Sequence, residues 1–137
     1  MKKIIFVLIV ATCLYPWEIF IVANKRFPKN DLTPKAVKAI FLDKKRFSGG
    51  KKILAINYAF NDPLRECFER TVLKKSRRQL ELYWLKAHYK GKRPPKVVKS
   101  EKMLLKYLQK VDMAVGYTAT PPKEGDMTKI LYKSRCE

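Results

Sequence analysis

Two dipeptides, Thr33-Pro34 and Asp62-Pro63, each follow an apolar run and open a stripe of helically spaced apolar residues. An N-cap side chain accepts a hydrogen bond from the first helical turn, and proline fits the next position because its missing N–H is not needed there. Each pair therefore marks a point where a strand and loop give way to a helix. Glu18–Asn24, EIFIVAN, and Ile53–Tyr58, ILAINY, read as buried strands, and Ala114–Tyr117, AVGY, as a short third one. The helix after Thr33 carries Ala36, Val37, Ile40 and Phe41 on one face. The helix after Asp62 carries Leu64, Cys67, Phe68, Val72 and Leu73. Ser76 and Ser100 cap two more, with Leu80, Tyr83, Trp84 and Ala87 on one and Met103, Leu104, Tyr107, Leu108 and Val111 on the other. Val97-Val98 reads as a short edge strand and Lys44–Lys52 as a basic turn around Gly49-Gly50. Strands alternating with helices predict an α/β domain, a largely parallel sheet flanked by helices. Phe41, Phe68, Trp84 and Tyr107 are expected in its core.

The ends of the chain read differently. Met1-Lys2-Lys3, the apolar run Ile4–Leu14 and Pro16 have the form of a secretory signal peptide over residues 1–17. An uncleaved anchor over Ile4–Ala23 is the first alternative, interrupted by Pro16 and Glu18. A lipobox at Val10-Ala11-Thr12-Cys13 is the second, with Thr12 out of pattern. Export predicts a periplasmic or secreted product with no transmembrane segment after cleavage. The domain then spans residues 18–118, and residues 119–137, with Pro121-Pro122 and Gly125, read as a polar tail. If Cys13 leaves with the signal, Cys67 and Cys136 remain as an even pair in an oxidising compartment. Pairing and two separate thiols both stay open, and the penultimate position of Cys136 favours separate thiols.

Charge narrows the function classes. Across 137 residues, 31 Lys and Arg face 12 Asp and Glu, a net charge of +19. Such an excess attracts anionic surfaces and oxyanions without specifying a fold. His88 is the only histidine, so a multi-histidine metal site or a serine–histidine catalytic pair has little to build on. No metal, cofactor or catalytic residue is expected. Cations cluster at Lys44-Lys45-Arg46, Lys51-Lys52, Lys74-Lys75, Arg77-Arg78 and Lys90–Lys99. They read as a solvated face or as a dock for an anionic envelope surface. Aromatics sit on apolar stripes instead of between the cations, so no stacking platform for specific nucleic-acid binding emerges.

Several stations, taken in order, resemble the periplasmic phosphate-binding proteins of ABC transporters. They are Leu32-Thr33-Pro34 through Ile40-Phe41-Leu42-Asp43-Lys44-Lys45 and then Phe47, Pro63-Leu64-Arg65-Glu66-Cys67-Phe68, Tyr83-Trp84, Lys90-Gly91-Lys92, Pro94-Pro95 and Ala114-Val115-Gly116-Tyr117. The resemblance covers roughly residues 18 to 118 and implies one lobe of a type II periplasmic-binding-protein fold. Full-length members hold their ligand between two lobes, and this chain has length for one. It also implies a binding protein without catalysis, whose partner is a small oxyanion such as phosphate or another envelope protein.

The family's oxyanion cradle is a strand-end arginine followed by a Ser-Gly-Thr turn that opens a helix. Backbone N–H groups and the helix end hold the anion, and the arginine adds a forked, charge-assisted contact. The matching stretch runs from Asn57 to Arg65. Asn57 or Tyr58 stands at the arginine position, and Asp62-Pro63-Leu64 replaces the turn. Asp62 brings its own carboxylate to the helix end, Pro63 removes one donor, and Arg65 partly compensates. The candidate ligand-binding residues are Asn57, Tyr58, Asn61, Asp62, Leu64 and Arg65, with weak phosphate binding expected.

Overall fold

A computed structural model describes residues 17–123 and 125–136. The expected signal peptide lies outside them, except for Trp17. The elements in chain order are β1 (Glu18–Asn24), α1 (Pro34–Phe41), β2 (Phe47–Ser48), β3 (Lys51–Lys52), β4 (Leu54–Tyr58), α2 (Pro63–Phe68), α3 (Arg77–His88), β5 (Lys96–Val98), α4 (Glu101–Lys110), β6 (Ala114–Thr118) and β7 (Thr128–Arg135). Between α2 and α3 the chain widens into a π-helical turn, Glu69–Leu73, closed by Lys74 in the left-handed conformation.

The capping residues act as their chemistry requires. Thr33, Asp62, Ser76 and Ser100 each accept a backbone N–H from the first turn of their helix. Ser76 and Gln79 complete a reciprocal capping box.

Five strands form one sheet in the order β5-β4-β6-β1-β7. β4 pairs in parallel with β5 and β6, whereas β1 is antiparallel to both β6 and β7. Four of the five strands therefore point the same way, and the sheet is mainly parallel with β1 reversed. Helix α4 packs against β5, β6 and β1; on the other side α2 meets β4, and the π-helical turn meets α1 and β7. Gly116 makes the first contact possible, since a Cβ there would lie 2.4 Å from Leu104 Cδ1. On the opposite face, Tyr117 stacks on Phe68 with ring centres 4.0 Å apart, and Phe41 meets Phe68 edge-on at 4.7 Å. Phe41 and Phe68 lie in the core as expected, whereas Trp84 and Tyr107 are only partly buried at its edge.

Three expectations are corrected. The segment 119–137 is not simply a polar tail: β7 pairs with β1 along its length, from Glu18 opposite Arg135 to Asn24 opposite Thr128. As an edge strand it exposes Lys133 and Arg135, a side-chain pattern that resembles a solvated tail. Cys67 and Cys136 form a disulfide, with Cα atoms 5.5 Å apart. The pairing follows from β7, because Cys136 donates its N–H to Trp17 O and is thereby held beside α2. The basic turn at Lys44–Lys52 contains a two-stranded hairpin, β2–β3.

Candidate functional site

The chain leaves β4 toward β5 on one side and returns to β6 on the other. In α/β sheets such a reversal opens a crevice beyond the carboxyl ends of the strands. A cleft of about 630 Å³ lies there, lined by residues of β4, α2, the π-helical turn, α3 and the Pro94-Pro95 segment.

Of the six residues singled out from sequence, Asn57 and Arg65 line this cleft. Asn57 is buried, and its Oδ1 accepts hydrogen bonds from Tyr58 N at 2.9 Å and from the Tyr117 hydroxyl. Tyr58 turns inward, where its hydroxyl donates to Tyr117 O at 2.8 Å. Burial pushes the pKa of both phenols above the ordinary tyrosine range, which keeps them neutral hydrogen-bond donors. Leu64 is buried in the core, and Asn61 is exposed on the turn. Asp62 Oδ1 accepts the Leu64 N–H at 2.9 Å, so its carboxylate occupies a donor that an oxyanion at this helix end would use.

Arg65 reaches back across the strand end and donates from Nη1 to Tyr58 O at 2.9 Å. Its Nε donates to Glu69 Oε2 at 3.4 Å. Glu69 is only 4% exposed, and its other oxygen lies 3.3 Å from Arg77 Nε. That second approach is an ion pair without hydrogen-bond alignment: Glu69 Oε1, Arg77 Nε and Arg77 Nη2 are buried with no hydrogen-bond partner among the described residues. Arg77 also approaches Glu66 at 3.6 Å. Phe60 is 62% exposed and lies under the Arg77 guanidinium, 3.8 Å from its ring centre. A guanidinium over an aromatic face is held by the ring quadrupole as well as by its ion pairs.

Sequence reasoning missed Glu69, Arg77, Phe60 and Trp84 as a group. One signal was present, because Arg65 and Glu69 stand at the i,i+4 spacing that pairs side chains on a helix. The π-helical widening at Glu69 was not visible in the periodicity, and such bulges often coincide with functional sites. Phe41, Leu73, Leu80, Trp84, Pro94, Pro95 and Val97 supply apolar walls. Arg65, Arg77 and Arg78 stand against Glu66, Glu69 and Glu81, which balances the charge locally on a chain of +19. Among the described residues, no serine, threonine, cysteine or histidine lines the cleft.

No protein-family model and no curated protein matches the sequence. Solved structures do match the fold. An ABC-type phosphate transport receptor from Vibrio cholerae aligns with TM-score 0.62 and 18% identity over 82% of this chain and 44% of its own. A structure from Clostridium perfringens, described as a phosphate ABC transporter substrate-binding protein with bound phosphate, aligns with TM-score 0.66 and 15% identity. It covers 82% of this chain and 43% of its own. PstS from Borrelia burgdorferi gives 0.62 and 11%, over 82% and 46%. This chain spans less than half the length of these receptors and shares the fold of that part.

Proposed function

We propose that this chain is an exported, non-catalytic binding protein on the scaffold of a phosphate-receptor lobe, with an anion site that has become degenerate. One observation carries the reading: the Glu69 carboxylate lies between Arg65 and Arg77, at the edge of the cleft. A carboxylate in that place supplies internally the negative charge that two arginines would otherwise offer to a ligand. Asp62 does the same for the first donor of α2. A free phosphate would find both guanidinium groups already facing a carboxylate, and like charges at that range oppose binding.

The apolar walls and the stacked Phe60–Arg77 pair suit a partner that buries surface there, either a second lobe or an envelope protein. Placement in the periplasm or outside the cell is part of this proposal and rests on the residues 1–17 and the disulfide. Among the described residues no helix is long and apolar enough to cross a membrane.

Thermal unfolding across a series of inorganic phosphate concentrations tests the reading. A ligand bound by the native state alone raises apparent stability, by about 2.7 kcal/mol at a hundredfold excess over Kd. The expected result is no upward shift at submillimolar phosphate. A clear upward shift at micromolar phosphate would overturn the degenerate-site reading.

A further inference from the structure

A second recess lies at the amino ends of β4 and β5, across Pro94-Pro95 from the cleft. It encloses about 210 Å³ and is lined by Lys45, Arg46, Lys52, Arg93 and Lys96, with Asp43 as its acidic residue. Five cations thus share one carboxylate. Asp43 is itself engaged: its Oδ2 accepts Arg93 N at 3.0 Å and lies 3.1 Å from Arg46 Nη2. Arg46 Nη2 also donates to Gly91 O at 3.2 Å, which ties the β2–β3 hairpin to the loop after α3. The frame is fixed on the other side too. Gly49, at φ +56, turns the hairpin against Pro28, where a Cβ would lie 3.1 Å from Pro28 Cγ.

Two exposed aromatics stand on the chain segments that frame this recess, close in sequence to its lining residues. Phe47, on the hairpin, is 58% exposed, and Tyr89, two residues before Gly91, is 85% exposed. Cations at helix carboxyl ends are ordinary, because α1 and α3 both end here and their dipoles favour positive charge. The dipoles give no reason for a solvent-facing phenylalanine among lysines. Aromatic rings beside clustered cations are the pattern of a surface that lies against lipid headgroups, the ring entering the interface and the cations meeting phosphates.

We propose that the amino-end face formed by the β2–β3 hairpin and the loop Lys90–Lys96 docks on an anionic phospholipid membrane, with Phe47 as its apolar contact. The proposal does not depend on the cleft, which lies on the other side of Pro94-Pro95 and is charge-balanced.

The test is flotation of the full chain with vesicles of phosphatidylglycerol and phosphatidylcholine, compared with phosphatidylcholine alone. The neutral vesicles measure whatever the apolar Ile4–Leu14 segment contributes. Binding to anionic vesicles in excess of that baseline should fall steeply between 50 and about 500 mM salt, as expected for headgroup contacts screened by ions. The variant Lys45→Gln, Lys52→Gln, Arg93→Gln should lose about 100-fold of the excess affinity. Phe47→Ser should lose about tenfold with no charge change. The variant Lys102→Gln, Lys106→Gln, Lys123→Gln removes the same charge from exposed positions away from the recess and should lose only a few-fold. Circular dichroism checks that each variant is folded. Equal losses in the two triple variants would mean that net charge alone drives binding, and would overturn the proposal. So would no excess binding to anionic vesicles, or tighter binding to inorganic polyphosphate with no effect of Phe47→Ser.

Discussion

The two sides of the Pro94-Pro95 wall hold the same kinds of cation in opposite states. In the cleft, Arg65 and Arg77 converge on the buried Glu69, and Glu66 and Glu81 complete the balance. In the recess at the amino ends, Asp43 is the one acidic residue among the described lining residues, against Lys45, Arg46, Lys52, Arg93 and Lys96. A charge of +19 by itself would mark both regions as anion sites. Pairing separates them: a cation whose charge is met inside the protein has little left for a ligand, and one left open to solvent keeps it. This α/β scaffold thus presents the unspent charge of the recess away from the crevice at the carboxyl ends of its strands.

The largest test of that contrast is the disulfide, which joins α2 at the cleft to the end of β7. Its sequence separation is 69 residues, and the chain-entropy model assigns such a loop about 4 kcal/mol. Reduction, or Cys67→Ser with Cys136→Ser, should lower stability to denaturant by that order. Hydrogen exchange should rise first in α2 and β7, while the β2–β3 hairpin stays protected. Uniform loosening would show that the two regions are not mechanically separate.

Asp43→Ala addresses the recess. It removes the acceptor of Arg93 N and the partner of Arg46, and it places alanine at φ 57. The expected cost is about 1–3 kcal/mol, read by chemical denaturation. Retention on an anion-bearing column should rise, because the recess then carries no acid. A smaller effect belongs to Asp62→Ser, which keeps a capping oxygen for Leu64 N. Stability should change by less than about 0.5 kcal/mol in thermal unfolding, since serine and aspartate are comparable N-caps.

The sequence exposed most of this architecture and little of the contrast. Strand runs such as EIFIVAN and the caps at Thr33, Asp62, Ser76 and Ser100 are local signals, legible because each depends on near neighbours. β7 was hidden because an edge strand with lysines on its open side has the composition of a tail. Without β7, nothing placed Cys136 beside Cys67. At the site, Asn57 and Arg65 were reachable from the strand-to-helix order. Glu69 and Arg77 were not, since the π-helical turn and the start of α3 bring them together only in three dimensions. The recess draws on Lys45, Lys52 and Arg93 from separate segments whose approach depends on the Arg46–Gly91 contact.

Phosphate calorimetry on the native chain and on Glu69→Gln tests most directly whether the cleft is neutralised from within. The substitution keeps the size of the side chain and removes its charge, leaving Arg65 without its carboxylate and Arg77 with only the longer approach to Glu66. It should cost about 2 kcal/mol of stability, because two partly buried guanidinium groups lose a charged acceptor, and circular dichroism verifies that the variant is folded. The account predicts no measurable heat of binding below about 1 mM for the native chain and at least tenfold tighter binding by Glu69→Gln, the scale of one charge-assisted contact. Micromolar phosphate binding by the native chain, or a folded Glu69→Gln that binds no better than native, would contradict it.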